Sequence, residues 1–143
     1  MKLTLTAALA TLVLAAPAFA GDAAKGEADF KKCKACHMIV APDGTEIQKG
    51  GKTGPNLYGV VGRKAGSLEG FNYSNALVKL GEAGEVWTEE DIAHYVADPN
   101  KYVDEKTGDK TLKTKMTFKL TKGGEDMAAY LASVAPAPEG ASN

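Results

Sequence analysis

Large apolar side chains are scarce in this chain once its first 20 residues are set aside. Of its 143 residues 44% are hydrophobic, yet 15 of those residues fall within the first 20 positions and 48 in the remaining 123. Leu, Ile, Val and Phe together number only 21 in that remainder, about 17%. A share below roughly 20% marks a disordered chain when net charge is high. Net charge is lacking too: beyond residue 20 there are 16 basic and 18 acidic side chains, a balance of −2. Self-repulsion therefore gives no reason for disorder, and a general nucleic-acid-binding surface is excluded. No segment beyond residue 20 is long and apolar enough to span a bilayer, no strand pattern or internal repeat is evident, and the length excludes two ordinary domains. Glycine, by contrast, is abundant at 16 residues, all beyond residue 20, or about 13% of that stretch against a usual ~7%. The expectation is one small, loop-rich domain at 21–135 whose core lacks apolar volume that something else supplies.

The first 20 residues read as an export signal. One Lys at position 2, an apolar run over 3–16 and the small-x-small ending Ala18-Phe19-Ala20 match a cleaved secretory leader. An anchor would need ~20 apolar residues, and Thr4, Thr6, Thr11 and Pro17 interrupt this run. The mature chain is expected to begin near Gly21, outside the cytoplasm in the periplasm, and residues 136–143, rich in Pro, Ala and Gly, to form a flexible tail.

The rest reads as short helices joined by long loops, an all-α class. Asp22 is placed to cap a helix reaching about Cys33. Residues 40–54 are Gly-, Pro- and polar-rich and read as a loop. A short helix is expected over 74–80, ending at Gly81. Thr88-Glu89-Glu90-Asp91 opens another with a capping-box pattern, terminated by Pro99. Residues 101–117 read as a second long loop. The last helix opens at Glu125 and Asp126, at the favourable end of its dipole, and buries Met127, Tyr130, Leu131 and Val134. Loops this long are uncommon unless something organises them.

The only two cysteines stand in Cys33-Lys34-Ala35-Cys36-His37. On a helical turn Cys33, Cys36 and His37 lie at i, i+3 and i+4, so two thiols and an imidazole share one face. Both thiols can add to the vinyl groups of one haem while the imidazole takes its iron. A disulfide-exchange site would follow a strand in a βαβ unit, which is lacking. A disulfide closing so short a loop would add little stability, and zinc would need about four ligands, of which only His94 and scattered carboxylates remain. Elimination leaves Met116 as the second axial ligand. Met38 adjoins His37, Met127 belongs to an apolar helical stripe, and His94 lies between Asp91 and Asp98 on a polar face. A thioether opposite an imidazole raises the reduction potential and closes the iron to exogenous ligands, which favours electron transfer over peroxidase or ligand-sensing chemistry.

Cys33 to His37, then Thr53-Gly54-Pro55-Asn56-Leu57, then Trp87, then Thr114-Lys115-Met116-Thr117-Phe118, taken in that order, resemble the class I cytochromes c. The long loops at 42–51 and 103–112 resemble the purple-bacterial cytochrome c2 branch. The resemblance implies a class I cytochrome c fold wrapped around one covalent haem c, with thioethers at Cys33 and Cys36 and axial ligands His37 and Met116. It implies that the Pro55 carbonyl accepts a hydrogen bond from the His37 ring. Arg63, Tyr73 and Trp87 fall at the family's haem-propionate positions, and Tyr95 where a phenol approaches the methionine sulfur. Gly26, Phe30 and Tyr130 match the crossing of the terminal helices. Leu77 stands where the family has an asparagine, a departure from its pattern. The implied function is a soluble, monomeric one-electron carrier and not an enzyme. Its donor would be a membrane cytochrome bc complex and its acceptor a photosynthetic reaction centre or terminal oxidase. The missing core would then be the macrocycle itself.

Charge is unevenly laid out. Lysines 110, 113, 115, 119 and 122 follow Asp109 without an intervening acid, and Lys31, Lys32 and Lys34 flank the cysteines. Residues 82–98 carry six acids and no lysine. A lysine ring near the haem edge is expected to steer docking onto acidic partners.

Overall fold

The computed structural model describes residues 21–136; the proposed leader at 1–20 and the tail from 137 onward lie outside them. Helix α1 (Ala23–Asp29) starts where the Asp22 carboxylate accepts from the main-chain N–H groups of Ala24 and Lys25, and a 3-10 turn, Phe30–Lys32, carries it into the cysteine motif. The single helix expected to about Cys33 is thus two pieces of different pitch. Strands β1 (Ile39–Val40) and β2 (Glu46–Gln48) form a small antiparallel hairpin. Helix α2 (Asn75–Glu82) is capped by Ser74, α3 (Glu89–Ala97) by Thr88 and α4 (Pro99–Thr107) by Asp98. Helix α5 (Gly124–Ser133) has no side-chain cap, and Glu125 and Asp126 in its first turn favour its dipole instead.

Three expectations are corrected. The expectation of no strand is overturned and the stretch 40–54 is not wholly loop, because the hairpin begins at Ile39 and runs to Gln48. The pairing is pinned from outside, since Asn56 accepts from the Val40 N–H at 3.0 Å and donates to the Val40 carbonyl at 2.7 Å. The stretch 101–117 is not wholly loop either, because α4 occupies its first half. Pro99 ends α3 but also opens α4 as its first residue, where the missing N–H costs nothing. Gly108 closes α4 in the left-handed conformation (φ 70°). The architecture remains all-α with long connections.

The core sits where the first and last helices cross. Gly26 is fully enclosed there: a Cβ on it would run into the Asp126 carbonyl and the Tyr130 side chain, so the absent methyl sets how closely α1 and α5 approach. Phe30 meets Tyr130 edge to face, centroids 5.8 Å apart, and Met127, Ala128 and Leu131 complete the buried wall. The Tyr130 hydroxyl accepts from Gln48 Nε2 at 2.8 Å, which ties the hairpin to the crossing. A second aromatic cluster spans the loop before α3, α3 itself and α4. Trp87, Tyr95 and Tyr102 lie mutually 5.0 to 5.8 Å apart.

Candidate haem-binding site

Cys33 and Cys36 occupy one helical turn. The Cys36 and His37 N–H groups both donate to the Cys33 carbonyl, at 3.1 and 2.9 Å. The thiols are free, Cys33 half-buried and Cys36 exposed. Burial, with Asp29 adding to it, pushes the Cys33 thiol up to about 11. The glycine-rich segment that follows the hairpin folds back over this turn. Gly51 donates to the Lys34 carbonyl at 2.8 Å and Gly54 to that of Cys36 at 2.7 Å. Gly54 rests against the imidazole itself, and a Cβ there would overlap the ring of His37.

His37 Nδ1 lies 2.9 Å from the Pro55 carbonyl oxygen. A carbonyl only accepts, so Nδ1 carries the proton and Nε2 presents its lone pair. Burial holds the ring's pKa below 6.5, and the bond to Pro55 only partly offsets this. The result is a neutral imidazole with one nitrogen tethered and the other available, the state a metal ligand requires. Pro55 is itself held: Asn56 grips Val40, and Leu57 N–H donates to the Met38 carbonyl at 3.0 Å. An open cavity of about 390 Å³ beside this segment is bounded by Met38, Gly54, Asn56, Leu68 and Phe71, among others. Partly covered apolar side chains, including Leu57, Val61, Tyr73, Tyr95 and Leu112, pack on the core. Two thiols on one turn, an oriented imidazole and apolar side chains left partly uncovered suit a covalent haem.

The other residues singled out in the sequence are placed as follows. Arg63 spends donors on the Asn56 and Tyr58 carbonyls, at 3.1 and 3.3 Å, and its burial lowers its pKa; its remaining N–H groups are spare. The Trp87 N–H donates to the Arg63 carbonyl at 3.0 Å, and the Gly62 N–H to the Trp87 carbonyl at 2.7 Å. Trp87 is buried against Tyr95 and Tyr102. Tyr73 packs edge-on to Phe71, centroids 4.8 Å apart. Burial pushes the Tyr95 phenol up to about 12, although its interaction with Thr114 pulls the other way. Met116 is half-buried in the irregular segment between α4 and α5, and its carbonyl accepts from Thr114 Oγ1 at 3.0 Å. Leu77 is buried in α2, and His94 is exposed, as expected. The structure thus brings His37 to Pro55, Arg63 to Trp87, Trp87 to Tyr95, and Tyr95 to the residue two before Met116.

Sequence reasoning missed Tyr102, Asn56 and Asn100. Tyr102 has a hydroxyl in contact with the carboxylates of Glu85 and Asp91 (2.9 Å to the latter), and Lys106 bonds both acids. Burial and the two acids keep its phenol protonated far above the usual range. The acidic stretch read as free of lysine is therefore partly neutralised across the fold. Lys113 and Lys119 also pair, with Asp104 and Asp98.

Fold and site together define a small, mostly helical protein built around one covalently held haem. No protein-family model matches the chain. Cytochrome c2 of Rhodobacter capsulatus is 68% identical over 135 residues, 94% of this chain and 98% of that protein. Cytochrome c-550 of Paracoccus versutus is 58% identical over 140 residues, covering 95% and 91%. The solved structure of the Rhodobacter capsulatus cytochrome c2 superposes with a TM-score of 0.79 over 80% of this chain and 98% of that one, at 67% identity. The chain belongs to the cytochrome c2 family of class I cytochromes c, electron carriers and not enzymes, with one covalently attached haem c. Among the described residues no helix is long and apolar enough to cross a membrane.

Proposed function

We propose that the chain is a periplasmic one-electron shuttle, monomeric, running from a membrane cytochrome bc complex to a photosynthetic reaction centre or terminal oxidase. The observation that carries the reading is the tethered, neutral His37 on the same turn as Cys33 and Cys36. In this reading Cys33 and Cys36 hold the haem as thioethers, and His37 and Met116 are its axial ligands. Arg63, Tyr73 and Trp87 face its propionates, and Tyr95 approaches the methionine sulfur. When bound, the haem supplies reversible one-electron cycling between Fe(II) and Fe(III). The protein's part is to hold both ligands alike in the two states, so that little rearranges when an electron moves. Residues 1–20 are removed on export, and 21–135 form the domain.

Docking falls to lysines near the haem-binding segments. Lys31 and Lys34 are exposed beside the cysteines, and Lys110 and Lys122 beside the methionine segment. Phe118, 44% exposed, lies between Lys115 and Lys119 in sequence and offers an apolar contact. Such a mixed surface suits a brief, steered encounter.

Replacing Met116 by Ala tests the ligand set. The low-spin spectrum of the oxidised protein and the high reduction potential are expected to be lost. Their survival would show that another group closes the iron.

A further inference from the structure

Residues 112–122, which carry Met116, form no helix or strand, yet an axial ligand has to be presented in one position. The corner between α3 and α4 holds this segment from both ends. Leu120 N–H donates to the Val96 carbonyl at 2.7 Å, Lys119 Nζ to Asp98 Oδ2 at 2.6 Å, and Thr114 N–H to Asn100 Oδ1 at 2.9 Å. From Thr114 the hydroxyl continues to the Met116 carbonyl. On the opposite side Lys115 Nζ reaches the Asn72 carbonyl at 2.8 Å.

These anchors are unequal. The Lys119–Asp98 pair is solvent-exposed, with 50% and 33% of the two side chains accessible, and exposed pairs contribute little. Asn100 is different. Among the described hydrogen bonds it is the one side chain that accepts from a main-chain donor within 113–119, and that donor belongs to buried Thr114. A buried N–H left without a partner is costly, so the segment has a strong reason to stay where Asn100 puts it. Asn100 is in turn rigidly mounted. It is the second residue of α4, after Pro99 and next to the Asp98 cap, and α4 is clamped by Tyr102 and Lys106 onto Glu85 and Asp91.

The geometry points to Asn100 as the positioning residue that holds the Met116 segment against the haem, through the sequence Asn100 Oδ1, Thr114 N–H, Thr114 Oγ1 and Met116 carbonyl. The inference rests on Met116 being the axial ligand. It adds that the iron–thioether bond is kept closed by an α4 side chain that touches neither the iron nor the ligand's own side chain.

The test uses the haem-loaded protein and added imidazole, which competes with the methionine for the oxidised iron. Asn100→Ala is expected to bind imidazole about tenfold more tightly, a change of 1.4 kcal/mol, and to lose hydrogen-exchange protection at the Thr114 amide. Asn100→Asp, which keeps an acceptor, should return the affinity to within about threefold of the parent. Thr107→Ala at the far end of α4 serves as the control. It removes the hydroxyl that donates to the Val103 carbonyl and accepts from the Asp109 N–H, and should leave imidazole affinity unchanged even if the end of α4 is weakened. Unchanged affinity and unchanged Thr114 exchange in Asn100→Ala would overturn the assignment, as would an equal effect of Thr107→Ala. If the parent protein lacks the thioether-to-iron charge-transfer absorption, Met116 is not the ligand and both readings fall. If the parent shows it and Asn100→Ala behaves like the parent, only this one does.

Discussion

The Nδ1 of His37 and the carbonyl oxygen of Pro55 lie 2.9 Å apart across 18 residues of sequence. That single contact fixes the ring's tautomer, its rotation and its basicity, because a carbonyl that accepts from Nδ1 sharpens the donor character of Nε2. The glycine before Pro55 makes the contact possible. A side chain at position 54 would press onto the face of the imidazole.

Gly54→Ala is therefore expected to push the ring and the Pro55 carbonyl apart. Overpacking of this kind costs about 1 to 3 kcal/mol, readable by denaturant unfolding of the haem-loaded protein. Weakening the bond also makes the imidazole a poorer donor, so the ferric state loses stabilisation and the reduction potential rises. Voltammetry of the variant checks the sign; a fall in potential would mean that the bond does not tune the ligand.

The residues that carry chemistry were legible because they are local. Cys33, Cys36 and His37 need only one turn to meet, and Asp22, Ser74 and Thr88 cap within three residues of themselves. Long-range devices were not, apart from the His37–Pro55 bond that the family resemblance implied. Helix α4 buries only Pro99, Tyr102 and Val103, which span a single turn and make no sustained stripe. Its start was signalled by Asp98 and Pro99, but a proline after one helix reads equally as its end. Hairpin strands of two and three residues depend on Asn56, a partner 16 residues from Val40. The same holds for Asn100, whose role exists only once Thr114 is beside it. The acid partners of Lys106, Lys113 and Lys119, 9 to 21 residues away, were hidden for the same reason.

The Glu85–Asp91–Tyr102–Lys106 cluster carries a pH signature. Burial works against charging Asp91, but the bonds from Thr88, Lys106 and Tyr102 outweigh it and hold the folded carboxyl below 3.8. As pH falls, the unfolded chain takes up this proton first. The stabilisation is complete above about pH 4 and is lost as pH drops through the folded value. Lys106 is the mirror case, raised above 10.5 mainly by Asp91: its contribution is present below that value and lost as pH rises through the folded pKa. Asp91→Asn should lower stability at pH 7 by about 1 kcal/mol and flatten the acid limb of a stability–pH curve. Parallel acid limbs in the two proteins would contradict the assignment.

The proposed steering by lysines would make the encounter rate depend on salt. Electron transfer to an acidic partner should slow about tenfold as ionic strength rises from ~10 mM to ~150 mM, as the screening length shrinks from ~30 Å to ~8 Å. Stopped-flow measurement across that range decides the matter, and a flat profile would remove electrostatics from docking.

In the proposed function both axial positions of the iron are filled by this chain, His37 on one side and Met116 on the other. Mixing the fully reduced native protein with carbon monoxide asks this directly. No haem–carbonyl spectrum should develop within the mixing time or over the following minutes at neutral pH. Rapid formation of the carbonyl adduct would reveal an open or loosely held position, and would mark the protein as a ligand-binding haem site in place of an electron carrier.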